Sequence, residues 1–165
     1  MITRKCRQAL VILFFVAVLP IVSQAQLSEE IRSDVNMAVA EKTTIEKEAD
    51  TSFVKGRDIF ERSEYQQAVD EYIKAKKKLE TITGAHIQPK ITRINQAIAE
   101  AYYFWAEEIA GKAEKAANMS EYDEAIKLCY EGIKVSPSSE TRMKDLIGRY
   151  TKMKNVVEFR TKTSE

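Results

Sequence analysis

Residues 63–72 read SEYQQAVDEY, and residues 120–129 read SEYDEAIKLC. Ser, Glu, Tyr and Ala recur at the same offsets, 57 residues apart, with Val69 matched by Ile126. Self-similarity inside one chain is the mark of a repeated structural unit. Each copy opens on a Ser followed three residues later by Gln66 or Asp123, which predicts a helix start. In that arrangement the Ser63 or Ser120 oxygen accepts a backbone N–H of the first turn while the later side chain reaches back. Before each copy, small and apolar residues recur at helical spacing: Phe53, Gly56, Ile59 and Phe60, then Ile109, Ala113, Ala116 and Ala117. The unit is therefore expected to be helix, tight turn, helix.

Working outward, the stripes lengthen the first helix of each unit. Pro89 suits a first helical turn, where its missing N–H costs nothing. From there Ile91, Ile94, Ile98, Ala101, Trp105 and Ile109 form one stripe running into the second copy, predicting a helix over 89–118. Upstream, Ile31, Val35, Ala38, Ile45, Ala49, Phe53, Gly56 and Phe60 predict a helix over 28–63, with Ser28 as N-cap and Glu29 and Glu30 on its positive end. After Pro137, Ser138 and Ser139 can open a helix carrying Met143, Ile147, Tyr150, Met153 and Val157, which would cap the last hairpin. The expected fold is all-α: antiparallel hairpins with five helices, two of them long, over 28–63, 65–82, 89–118, 122–135 and 139–160. Only 5 Gly and 3 Pro in 165 residues agree with long helices rather than many strands and turns. The rival architecture is an extended coiled-coil bundle.

The hairpin resembles the tetratricopeptide repeat (TPR) family. That repeat, of about 34 residues, has a small residue in its first helix, an Ala early in the second, an aromatic four residues later and a closing Pro. Ala113, Tyr122, Ala125 and Pro137 match over 106–137; Gly56, Tyr65, Ala68, Tyr72 and Ala75 match over 49–80. Ser52 and Ile109 depart from the family's Trp, Lys55 and Lys112 from its Leu, Cys129 from its aromatic, and Glu80 from its Pro. The resemblance implies a ligand groove on the first helices, at Asp50, Phe53, Arg57 and Phe60, then Glu107, Ala110, Glu114 and Ala117. Glu107 and Glu114 imply a partner with a basic stretch and a few apolar anchors.

The start of the chain reads as a separate segment. Arg4, Lys5 and Arg7 precede an uncharged run from Leu10 to Val22, and Ser23-Gln24-Ala25 offers small residues for cleavage after Ala25. This is a secretory signal pattern. The run is 13 residues, short of the roughly 20 that span a membrane. The expected organisation is a signal peptide over 1–25, a helical domain over 26–160 and a tail over 161–165. Stable membrane insertion after cleavage is not expected. The expected location is the periplasm or envelope of a bacterial-type cell. Loss of Cys6 leaves Cys129 without an internal partner, read as a buried packing residue. Removing three cations leaves 23 basic against 25 acidic residues, a net of −2, which gives nucleic acid no electrostatic footprint. Lys76, Lys77 and Lys78 point in three directions from a helix and form no patch.

Nothing in the sequence assembles a catalytic or metal constellation. His86 is the only His, Gly residues are scattered, and the carboxylates alternate with Lys along solvated helix faces. Tyr102, Tyr103, Phe104 and Trp105 are the one aromatic excess; they span the whole helix circumference, so Tyr103 and Phe104 either pack on another helix, the favoured expectation, or face outward as a contact surface. The expected function is a non-catalytic protein–protein interaction scaffold, with no cofactor and no small-molecule substrate. The alternative is an N-terminal structural module of a larger envelope assembly, of the secretin or pilus type, which would oligomerise.

Overall fold

The computed structural model describes residues 4–163, with side chains described for Glu29 and for 31–163. The expected signal peptide, 1–25, lies outside the residues whose side chains are described. The described residues form five α-helices: α1 (Arg4–Glu61), α2 (Tyr65–Glu80), α3 (Ile87–Asn118), α4 (Tyr122–Val135) and α5 (Glu140–Thr163). A short 3-10 turn at Pro137–Ser139 leads into α5, with Pro137 at its start. The fold is all-α, with antiparallel hairpins α1–α2 and α3–α4 and α5 as the C-terminal capping helix. Helix boundaries follow the apolar stripes closely. The one large difference is at the front: α1 begins at Arg4, so position 28 falls within a helix rather than at its start.

The hairpin turns correct a sequence expectation. Ser63 and Ser120 do not cap the helices that follow; Glu64 and Glu121 occupy those N-cap positions, with no side-chain cap bond. Both serines adopt left-handed backbone, φ 62° and φ 64°. The Ser63 N–H donates to the Phe60 carbonyl (2.9 Å) and the Glu64 N–H to the Ile59 carbonyl (3.3 Å). The Ser120 N–H donates to Ala117 (3.0 Å) and the Glu121 N–H to Ala116 (2.9 Å). These paired bonds are the Schellman pattern, so each Ser closes the preceding helix from its C′ position. The shared Ser-Glu-Tyr signal was correctly a turn, but the left-handed residue that reverses the chain is what it encodes. Left-handed backbone is unfavourable for an L-residue and free for Gly. Ser63→Gly and Ser120→Gly should therefore each stabilise the protein, by about 0.5–1 kcal/mol after the Gly entropy of the unfolded chain is counted. A rise in urea midpoint checks this; a capping Ser would instead give a fall.

Residues 1–44 and 45–165 form two units. In the first, every described side chain is exposed. In the second, two cores share α3. The first joins Ala49 and Ile59 of α1, Ala68, Val69, Tyr72, Ala75 and Leu79 of α2, and Ile87, Ile94 and Ala101 of α3. The other joins Ala106, Ala110, Ala113, Ala116 and Ala117 of α3, Ala125 and Cys129 of α4, and Met143, Leu146 and Tyr150 of α5. Ala68, Ala75, Ala113 and Ala125 have no exposed surface, as close helix approach requires. Tyr65 and Tyr122 are half-buried beside the turns. Glu71 ties the first hairpin together from a buried position, accepting from Lys74 (2.8 Å) and from Lys55 of α1 (3.0 Å). Those two bonds, Lys74 first, hold its carboxyl below the usual range.

Candidate functional site

Two helix faces meet to make a groove. On α1, Asp50, Phe53, Arg57 and Phe60 recur every three or four residues. On α3, Lys90, Arg93, Ala97, Glu100 and Phe104 do the same. Contacts fix how they align. Lys90 Nζ lies 2.7 Å from Glu46 and 2.8 Å from Asp50. The Arg93 guanidinium stands 5.0 Å from the Phe53 ring centroid, a cation–π contact. Phe60 meets Phe104 edge-on at 5.6 Å, and Tyr65 stacks on Phe104 at 5.7 Å. Partners ascend together along both helices, so the two faces run parallel.

The space between them has two joined parts. One, of about 310 Å³, is lined by Asp50, Phe53, Val54, Arg57, Lys90, Arg93 and Ile94. The other, of about 370 Å³, shares Phe53, Arg57 and Arg93 and continues past Phe60, Tyr72 and Ala97 to Glu61 and Glu100. The groove is therefore electrically zoned. At one end Lys90 is committed to Asp50 and Glu46, bonds that raise its pKa. In the middle, neither Arg57 nor Arg93 is ion-paired to any carboxylate among the described residues. At the far end stand the carboxylates of Glu61 and Glu100. The floor is aromatic and aliphatic: Phe53 and Phe60 pack on the first core and also line the opening.

Glu107 and Glu114, expected beside Asp50 and Phe53, are placed elsewhere. Glu107 pairs with Arg142 of α5. Glu114 lies close enough to Cys129 and Tyr150 to help raise the pKa of each, after burial. The cause is register. The repeat offset is 57, but Glu46 meets Lys90 and Phe60 meets Phe104, both 44 apart. The extended start of α3 thus takes the place beside α1, and the second copy is displaced about 20 Å along α3 at 1.5 Å per residue. Arg93, Ala97 and Glu100 were missed for that reason. Their three- and four-residue spacing was the available signal, and it carries no information about which helix they face.

The remaining candidates find plain roles. Cys129 has no exposed surface, and burial first, then Glu114, pushes its thiol up to about 11, so the thiol stays protonated at neutral pH. Gly56 sits against Tyr72, and Pro137 starts the turn before α5. His86 is exposed, 3.3 Å from Glu46. Of the aromatic run, Tyr102 and Trp105 are half-buried and stack on each other at 6.2 Å, while Tyr103 and Phe104 gather at the first hairpin turn. Among the described residues no cluster of His, Cys, Asp and Glu could hold a metal ion, and no helix is long and apolar enough to cross a membrane. No family model, curated protein or solved structure matches the chain.

Proposed function

We propose that this chain is an exported, non-catalytic interaction module of the TPR-like kind, which docks a segment of a partner protein in the α1–α3 groove. The observation that carries the reading is the pair of guanidiniums, Arg57 and Arg93, left without carboxylates over an apolar floor. Arg and aromatic side chains in a concave, partly dry setting are the usual anchors of protein recognition. The best-fitting segment carries a carboxylate for Arg57 and Arg93, an apolar anchor for Phe53 and Phe60, and a basic residue towards Glu61 and Glu100. This moves the basic part of the segment from Glu107 and Glu114 to Glu61 and Glu100, because Glu107 pairs with Arg142 and Glu114 lies by Cys129 and Tyr150. The signal-like start supports export to the periplasm or envelope.

The test is a pull-down with the tagged protein, followed by affinity measurement on the partner recovered. Arg57→Glu with Arg93→Glu should weaken that complex at least tenfold, the loss of about 1.4 kcal/mol or more expected of hot-spot residues. Lys77→Glu, on the exposed face of α2, should leave it unchanged. Unchanged affinity in the folded double variant would remove the groove as the docking site. A second reading, a structural part of a larger assembly, is favoured by one feature: large apolar residues stand exposed near both ends of the helical chain.

A further inference from the structure

Among the described residues, the first and last helices each carry an exposed apolar face. On α1, Ile31 and Val35 are 57% and 55% exposed, and Ala38 lies on the same face. Asp34 and Glu41 run along its edge, and among the described residues neither is ion-paired. On α5, Met153, Val156 and Phe159 are 45%, 51% and 69% exposed. Arg149 and Lys152 fall on that same α5 face by spacing, and again neither is ion-paired among the described residues.

The two faces have opposite charge. Residues 29–44 hold Glu29, Glu30, Asp34 and Glu41 against Arg32 and Lys42, a net of −2. Residues 149–163 hold Arg149, Lys152, Lys154, Arg160 and Lys162 against Glu158, a net of +4. A helical segment with nothing packed on it is marginal in water, since most helical stability in proteins comes from burying one face. Each face therefore offers the other apolar side chains to cover and a net charge of the opposite sign.

We propose that the occupant of each face is a second copy of this chain, with α1 of one molecule docking on the end of α5 of the next. Pairing α1 with α1 does not fit, because Asp34 and Glu41 would line both sides of the seam; pairing α5 with α5 sets Arg149 and Lys152 against their own copies. A contact between two different patches is heterologous, so it propagates into a chain or closes into a ring. This inference does not rest on the groove, which none of its residues line.

Sedimentation of the protein produced from its full-length coding sequence tests it, with helix content followed by circular dichroism. The average mass should rise with concentration and fall with added salt, as exposed charges are screened. Asp34→Lys with Glu41→Lys makes both faces basic; Arg149→Glu with Lys152→Glu sets carboxylates against Asp34 and Glu41 and brings residues 149–163 from a net of +4 to 0. Each double variant alone should lose association, with a dissociation constant raised at least about tenfold. Mixing the two should restore pairing, since the unaltered α5 of the first variant then meets the unaltered α1 of the second. A wild-type mass that stays at one chain at all concentrations would overturn the proposal, whether the faces dock on each other within one chain or on another protein. So would undiminished association of the Arg149→Glu, Lys152→Glu variant, which would place the contact away from α5, or a mixture that fails to associate while both variants stay helical.

Discussion

Replacing Gly56 by Ala should destabilise the protein by about 1–3 kcal/mol, the usual range for forcing extra volume into a packed contact. A Cβ at this position would sit 2.6 Å from both Cδ1 and Cε1 of Tyr72 and 3.4 Å from the Ala68 carbonyl oxygen. Tyr72 is only 2% exposed and its ring is rigid, so it has nowhere to turn. The duplicated sequence supplies the matching control. At the positions 57 residues on, Ala113 stands for Gly56 and Cys129 for Tyr72. The first copy pairs no side chain with a large ring; the second pairs a methyl with a small thiol. The sign of the substitution should therefore depend on residue 72. In a Tyr72→Cys background Gly56→Ala should stabilise, by up to about 1 kcal/mol, because the steric cost is gone and Ala is the better helix former. A double-mutant cycle by urea denaturation reads the coupling directly. If Gly56→Ala costs the same in both backgrounds, the close approach of α1 to Tyr72 is not what the glycine serves. Gly111, with nothing within 4 Å of its would-be Cβ, is the internal reference: Gly111→Ala should stabilise in any background.

Enlarging the alanines between helices should have an effect of comparable size. Ala68 and Ala125 have no exposed surface, and each faces the first helix of its own hairpin across a shared core. Leu at either site adds three carbons where helix axes already approach at the short end of the usual separation, costing about 1–3 kcal/mol. Lys77→Ala on the exposed side of α2 should stay within about 0.5 kcal/mol. Denaturation midpoints of the three variants decide the matter. Equal midpoints would mean that the hairpins tolerate a wider helix separation than their alanines imply.

Period alone made the helices legible. The stripes through Ile91, Ile94, Ile98 and Ala101, and through Met143, Ile147 and Tyr150, gave α3 and α5 within a few residues, because burying one face of a helix forces apolar residues to recur every three or four positions. The duplicated SEY segment gave the hairpins and their turns for the same local reason. It misled only in the role of Ser63 and Ser120. Capping boxes and Schellman turns both place a small polar residue between two helices, and only the sign of φ separates them.

The groove was legible by halves. Asp50, Phe53, Arg57 and Phe60 share one face of α1 by spacing alone, and the structure lines the opening with them. The opposite wall was not, because a helix periodicity repeats along its length and so carries no register relative to a neighbouring helix. That register was set by packing: Ile87, Ile94 and Ala101 belong to the first core, whereas Ala106 onward belongs to the second. Once the cores divide there, Arg93 must stand beside Phe53, and Glu107 must pass to Arg142. The sequence by itself determined which residues are helical, where the chain turns and which faces are apolar, since each depends on neighbours within a few residues. Only the tertiary structure decided which faces meet and which charges are left unpaired, since each depends on how far one helix slides along another before its side chains lock.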